Sequence, residues 1–139
     1  MRRATLAAVA GLVIVTILVV AVLAGRDTDQ ETTAAGRFGP VRSALCGARS
    51  AAARGEMAEA RRLFVDHAHQ GLHELAATAG DTDRAAAARL LEAKEAVERD
   101  FATASAELVG DLDGLMSTMS KATAVTGQAK PAPCADEES

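Results

Sequence analysis

Residues 4–24, ATLAAVAGLVIVTILVVAVLA, contain no charged side chain. At about 1.5 Å of rise per residue, a helix of this length crosses the ~30 Å hydrocarbon core of a bilayer. Lipid offers no water to backbone polar groups, so a lone apolar segment satisfies them only as a helix. The feature separates a transmembrane or signal-anchor segment, 1–25, from a remainder that must fold without it. Arg2 and Arg3 precede the apolar run, which by the positive-inside tendency keeps the N-terminus cytoplasmic and the C-terminal domain extracytoplasmic. A cleaved secretory signal is the competing reading, because Val22 and Ala24 suit the −3 and −1 positions of a cut after Ala24. Signal h-regions run only ~7–15 residues, so the length favours a retained anchor. Both readings export the rest of the chain.

The exported part reads as all-α. Hydrophobic residues make up 49% of the sequence but aromatics only 2%, and the phenylalanines are Phe38, Phe64 and Phe101. Alanine supplies much of the apolar content, has the best helix propensity, and is poor in strands. Net charge is −4; without residues 1–25 it becomes −6, from 13 Lys+Arg (15 − 2) against 19 Asp+Glu. An acidic domain with scattered arginines lacks the basic footprint of a nucleic-acid binder.

Residues 26–37 are polar and aperiodic and read as a flexible linker, followed by a helical bundle domain over 38–126 and a disordered acidic tail, 127–139. Helix one starts near Pro40, carries Val41, Leu45, Ala48 and Ala52 on one face, and ends at Gly55. Helix two runs from about Glu56 to Ala79, with Met57, Ala60, Phe64, Ala68, Leu72, Leu75 and Ala79 as its buried stripe. Gly71 falls on the same side and suggests a close neighbour. Gly80 then Asp81 reads as a C-cap followed by an N-cap. Helix three starts near Thr82 and reaches about Val125, with Leu90, Val97, Phe101, Ala104, Leu108, Leu112, Leu115 and Met119 on one face and a kink or restart at Gly110 and Gly114. The charged Lys94 falls on that seam, which argues against a sustained coiled coil. The whole is a small three- or four-helix antiparallel bundle, marginal alone and helped by oligomerisation or a cross-link.

Cys46 and Cys134 are the candidate disulfide. Outside the cytoplasm a cysteine pair tends to oxidise. Cys46 lies about 130° from its helix's stripe at ~100° per residue, off the plain core. The alternatives are two free thiols, or Cys134 bridging to another chain. Neither cysteine sits in an activating context for catalysis.

Every histidine of the chain lies in FVDHAHQGLHELA, residues 64–76. On a regular helix His69, His73 and Asp66 share one solvent face, and His69 and His73 are spaced i,i+4. That spacing lets two imidazoles chelate Zn²⁺ or Cu²⁺, with Asp66 as a third metal ligand. His67 lies at the border of the buried stripe, where it packs its ring and bonds Glu74. The run H-Q-G-L-H lacks the glutamate of the HExxH protease motif. The plainer account is a solvated polar face.

The best-supported function is a membrane-anchored extracytoplasmic interaction or accessory module without catalytic activity or cofactor. Its partner would be another envelope protein or a second copy of itself. An extracytoplasmic copper- or zinc-handling protein is the alternative, and a pH-responsive envelope protein a further one, since imidazole titrates near 6.5. No nucleotide loop, nucleophile elbow or closed ligand set points to an enzyme.

Overall fold

The computed structural model describes residues 36–135. The expected membrane segment, nearly all of the linker and residues 136–139 lie outside the described residues. Among the described residues all regular structure is helical, and no helix is long and apolar enough to cross a membrane.

The fold is a four-helix bundle. Helix α1 spans Gly39–Ala53 with Pro40 in its first turn, where a missing N–H costs nothing. Gly55 ends it at φ 77°, a left-handed conformation that glycine adopts without a Cβ clash. The Gly55 N–H bonds Ala52 O and the Glu56 N–H bonds Ala51 O, both at 2.9 Å, which completes a Schellman cap. The second rod joins α2, Met57–Leu63, to α3, His69–Gly80, through a π turn over Phe64–Ala68. Helix α4 covers Arg84–Thr103 and α5 covers Leu108–Val125.

Two boundaries differ from the sequence expectation. Gly80 is inside α3, and the N-cap of α4 is Asp83, whose Oδ1 accepts the Ala86 N–H at 2.9 Å. The single long third helix is two helices, and the break falls before the glycines at Ala104, which sits at φ 52°, ψ 44°. There the Ser105 N–H bonds Asp100 O at 3.1 Å, and Ser105 Oγ accepts the Glu107 N–H at 3.1 Å. Hydroxyl-to-backbone bonding of this kind offers the chain an alternative to helix, and here it wins. Gly110 and Gly114 lie inside α5. The turn buries Asp100 with one carboxylate oxygen unbonded. Burial, with Asp111 alongside, raises the Asp100 carboxyl above its ordinary range.

Short connections make successive helices antiparallel. Helix α1 packs on the second rod and on α5, α4 packs on α3 and α5, and α3 also meets α5. An Arg49 Nε–Asp113 Oδ1 bond of 2.7 Å ties the C-terminal half of α1 to the N-terminal third of α5. Its ends are partly exposed, so it contributes about 0–1 kcal/mol. The core joins Phe38, Leu45, Phe64, Leu72, Leu75, Leu90, Val97, Leu112, Leu115 and Met119 with buried alanines, among them Ala48, Ala68 and Ala79.

The stretch expected as a disordered tail is in part a packed strap. Residues 128–134 leave α5 without regular structure, bury Pro131, and bring Cys134 to α1. Cys46 and Cys134 form a disulfide with a Cα–Cα distance of 5.6 Å, and no free cysteine remains. The Cys134 sulfur also lies 3.6 Å from Met116 Sδ of α5. Cys46 is half-buried, off the apolar stripe as its angle required, and faces the returning strap. The bridged cysteines are 88 residues apart. Closing a loop this long stabilises a fold by typically about 2–4 kcal/mol.

Two glycines of opposite behaviour test the packing. A Cβ on Gly71 would collide with Cγ2 of Val41 in α1, whereas one on Gly114 would meet nothing within 4 Å. Gly71→Ala should therefore destabilise the full-length protein by about 1–3 kcal/mol through overpacking. Gly114→Ala should stabilise it by about 0.5–1 kcal/mol through helix propensity. Urea unfolding of both variants in detergent micelles checks this, and effects of one sign would contradict the close α1–α3 approach.

Candidate functional site

The π turn is where the sequence pattern strains a regular helix. Ala60, Phe64, Ala68 and Leu72 are all fully or almost fully buried. Three successive steps of four residues carry an ideal α-helix about 120° away from its starting face. Widening the turn over Phe64–Ala68 absorbs that drift and keeps all four inward. Single π turns of this kind occur often at functional sites. Phe64 packs against Phe101 of α4 with ring centroids 5.5 Å apart, and its ring lies 6.4 Å from that of His69.

The turn also aims the histidines. His69 opens α3 and faces α4, where its Nε2 lies 3.2 Å from Glu98 Oε1. The same Nε2 lies 3.2 Å from His73 Nε2, with the rings edge to face and 4.9 Å between centroids. Glu98 Oε1 in turn accepts from Lys94 Nζ at 2.8 Å. Lys94 is the seam lysine of the sequence analysis, and its side chain is only 5% exposed. The four groups form one chain of contacts between α3 and α4.

Burial lowers the His69 pKa from its usual 6.5, and the Lys94 charge lowers it further. Glu98 opposes the shift and His73 adds to it. The shift favours the neutral imidazole. A neutral imidazole holds one proton, and a proton on Nε2 faces the carboxylate acceptor Glu98 Oε1. The alternative tautomer would set the Nε2 lone pair against a carboxylate oxygen, so the geometry favours Nε2–H.

The residues expected as a site are only partly brought together. His69 and His73 meet as their spacing required. Asp66 is exposed on the π turn and bonds neither imidazole. His67 does not reach Glu74: it is exposed, 3.3 Å from Arg62 Nη1, while Glu74 pairs with Gln70 and Arg37. A shared face for His69, His73 and Asp66 requires an unbroken helix, and the π turn over Phe64–Ala68 shifts every direction downstream of it. His69 consequently turns toward α4 instead of standing on the solvent face, although its side chain stays 39% exposed. Among the described residues, no group of three or more His, Cys, Asp or Glu side chains is placed to hold a metal ion. Sequence reasoning missed Glu98. The available signal was Lys94: a charge on the apolar seam needs a counter-charge, and Glu98 stands one turn on.

The chain matches no protein-family model, no curated protein and no solved structure. Its class rests on its own architecture, a disulfide-fastened four-helix bundle.

Titration of the histidines by NMR tests this arrangement. Lys94→Met should raise the His69 pKa, because a cation leaves, and Glu98→Gln should lower it, because an anion leaves. A depressed folded pKa means that the stability carried by neutral His69 is complete above about 6.5. It is lost as pH falls from there toward the folded value. A His69 that titrates alike in all three proteins would contradict the contacts.

Proposed function

We propose that this protein is an extracytoplasmic accessory module without catalytic chemistry of its own. Residues 1–25 anchor it in the membrane, and the helical bundle is presented to a partner on the outer side. The observation that carries the reading is the Cys46–Cys134 disulfide. Structural disulfides persist in oxidising compartments and are rare in reducing ones. An uncharged run of bilayer length behind two arginines supports the same topology.

The partner is another envelope protein more readily than a second copy. Obligate homodimer interfaces bury large apolar patches. Among the described residues, Val65 is the large hydrophobic side chain left exposed, at 49%. It borders a shallow depression with Arg61, Phe64, Glu98 and Phe101, at the π turn. A small apolar spot rimmed by charge suits a modest, reversible contact.

A specific distance favours a second reading, extracytoplasmic handling of copper or zinc. His69 Nε2 and His73 Nε2 stand 3.2 Å apart, a separation at which one ion binds both.

The topology is tested on intact cells producing the full-length chain. The protein should stay in the membrane fraction after alkaline carbonate washing, and external protease should remove the bundle. Both cysteines should resist alkylation until a reductant is added. Recovery as a soluble cytosolic protein, or with two free thiols, would overturn the proposal.

A further inference from the structure

Resting on the metal reading above, we propose that the ligand set is His69, His73 and Glu98, a two-helix site for a borderline divalent cation such as Zn²⁺ or Cu²⁺. His69 Nε2 lies 3.2 Å from both His73 Nε2 and Glu98 Oε1. Bonds of about 2.0–2.1 Å in tetrahedral geometry place neighbouring ligand atoms about 3.3–3.4 Å apart. Both distances are therefore nearly those of two edges of a zinc coordination shell. A divalent ion can enter between these atoms with little movement of the helices that carry the ligands.

The chemistry of the set selects the cation. Two neutral imidazoles and one carboxylate suit zinc and copper, whereas calcium and magnesium take all-oxygen shells. Asp66 is excluded as the third ligand because the π turn leaves it exposed and out of contact with either ring. In the metal-free arrangement His73 and Glu98 meet through His69. Closing the set requires the Glu98 carboxylate to swing toward His73, and its side chain is 38% exposed and able to do so.

Lys94 Nζ bonds the same oxygen, Glu98 Oε1, that lies 3.2 Å from His69 Nε2. A carboxylate has two oxygens, so when Oε1 ligates the ion the ammonium hydrogen bond passes to Oε2. Hydrogen bonds to ligating carboxylates orient them, and their loss commonly weakens metal binding by about 10–100-fold. The fourth position opens to solvent between the half-exposed His69 and Glu98 side chains. Such an opening suits an ion that is taken up and released.

The test uses the full-length protein, purified without a histidine tag and held in detergent micelles. It is titrated calorimetrically with ZnCl₂, CuCl₂ and CaCl₂. One Zn²⁺ or Cu²⁺ should bind per chain and no Ca²⁺. His73→Ala and Glu98→Gln should each weaken binding at least tenfold, and Asp66→Asn should match the wild type. Circular dichroism without metal confirms that each variant is folded, and Glu98→Asp, which shortens the reach but keeps the charge, should fall between wild type and Glu98→Gln. Wild-type affinity in Glu98→Gln together with loss in His73→Ala would overturn the ligand set while leaving the two-histidine reading. No binding of either metal by the wild type would remove both.

Discussion

A core made largely of alanine requires its helices to lie close together. Buried alanines such as Ala48, Ala51, Ala60, Ala68, Ala79 and Ala122 remove little apolar surface each. Their contribution comes from dispersion contacts, which fall away steeply with fractions of an ångström of separation. Gly71 against Val41 is where this demand is most acute, because the α1–α3 approach leaves no room for a single Cβ. The larger side chains, Phe64, Leu72, Leu90, Leu112 and Met119, fill the interior between these near contacts. A domain of this size and composition gains little margin from packing alone. The disulfide supplies some of the difference by holding the strap at 128–134 to α1, across the end where the chain would otherwise fray.

Much of this is legible in the residues. Helical spacing of apolar positions identifies most of the buried face of each helix, and Gly55 and Pro40 mark the ends of the first, but Ala104, expected on the buried face, is exposed in the turn and Ala52 is only partly buried. The half-off-stripe position of Cys46 is consistent with its bond to a segment outside the helix. The break between α4 and α5 is less legible, because Ala104 takes a left-handed conformation usually left to glycine. The nearby Gly110 and Gly114 draw attention to the wrong place. What fixes the break is hydrogen bonding by Ser105, a weak local preference that becomes decisive when two apolar faces must fold back on each other. The tail was misjudged for a similar reason. Its composition is that of a disordered segment, and the covalent bond at Cys134 together with the burial of Pro131 holds it in place.

The histidine cluster was half legible. Spacing alone pairs His69 with His73, since one turn of helix separates them. It could not reveal Glu98, which lies on a different helix and enters through tertiary packing. It also assigned Asp66 by a regular wheel that the π turn invalidates. The irregularity has a trace in the sequence, three consecutive apolar steps of four from Ala60 to Leu72, which no straight α-helix keeps on one face. The stripe that identifies the helix therefore also carries the clue that the helix is not uniform.

Three departures from economical design coincide on the α3–α4 seam: a widened turn, a nearly buried lysine and two imidazoles in contact. Each costs stability. A π turn has poorer backbone geometry than an α turn, and a lysine in a bundle seam must be desolvated and paired. The burial that depresses the His69 pKa disfavours its charged form. The π turn offsets its cost by keeping Ala60, Phe64, Ala68 and Leu72 inward, whereas the lysine has no such return, because an aliphatic residue at Lys94 would pack with Leu90 and Val97 without being desolvated as a charge. Charged side chains are buried elsewhere too, Arg42 on α1 and Asp100 at the end of α4, but among the described residues only this seam sets a buried charge beside paired imidazoles and an irregular turn. The same reasoning separates this seam from the Asp100 corner, where a single buried carboxyl follows from the tight turn that carries it.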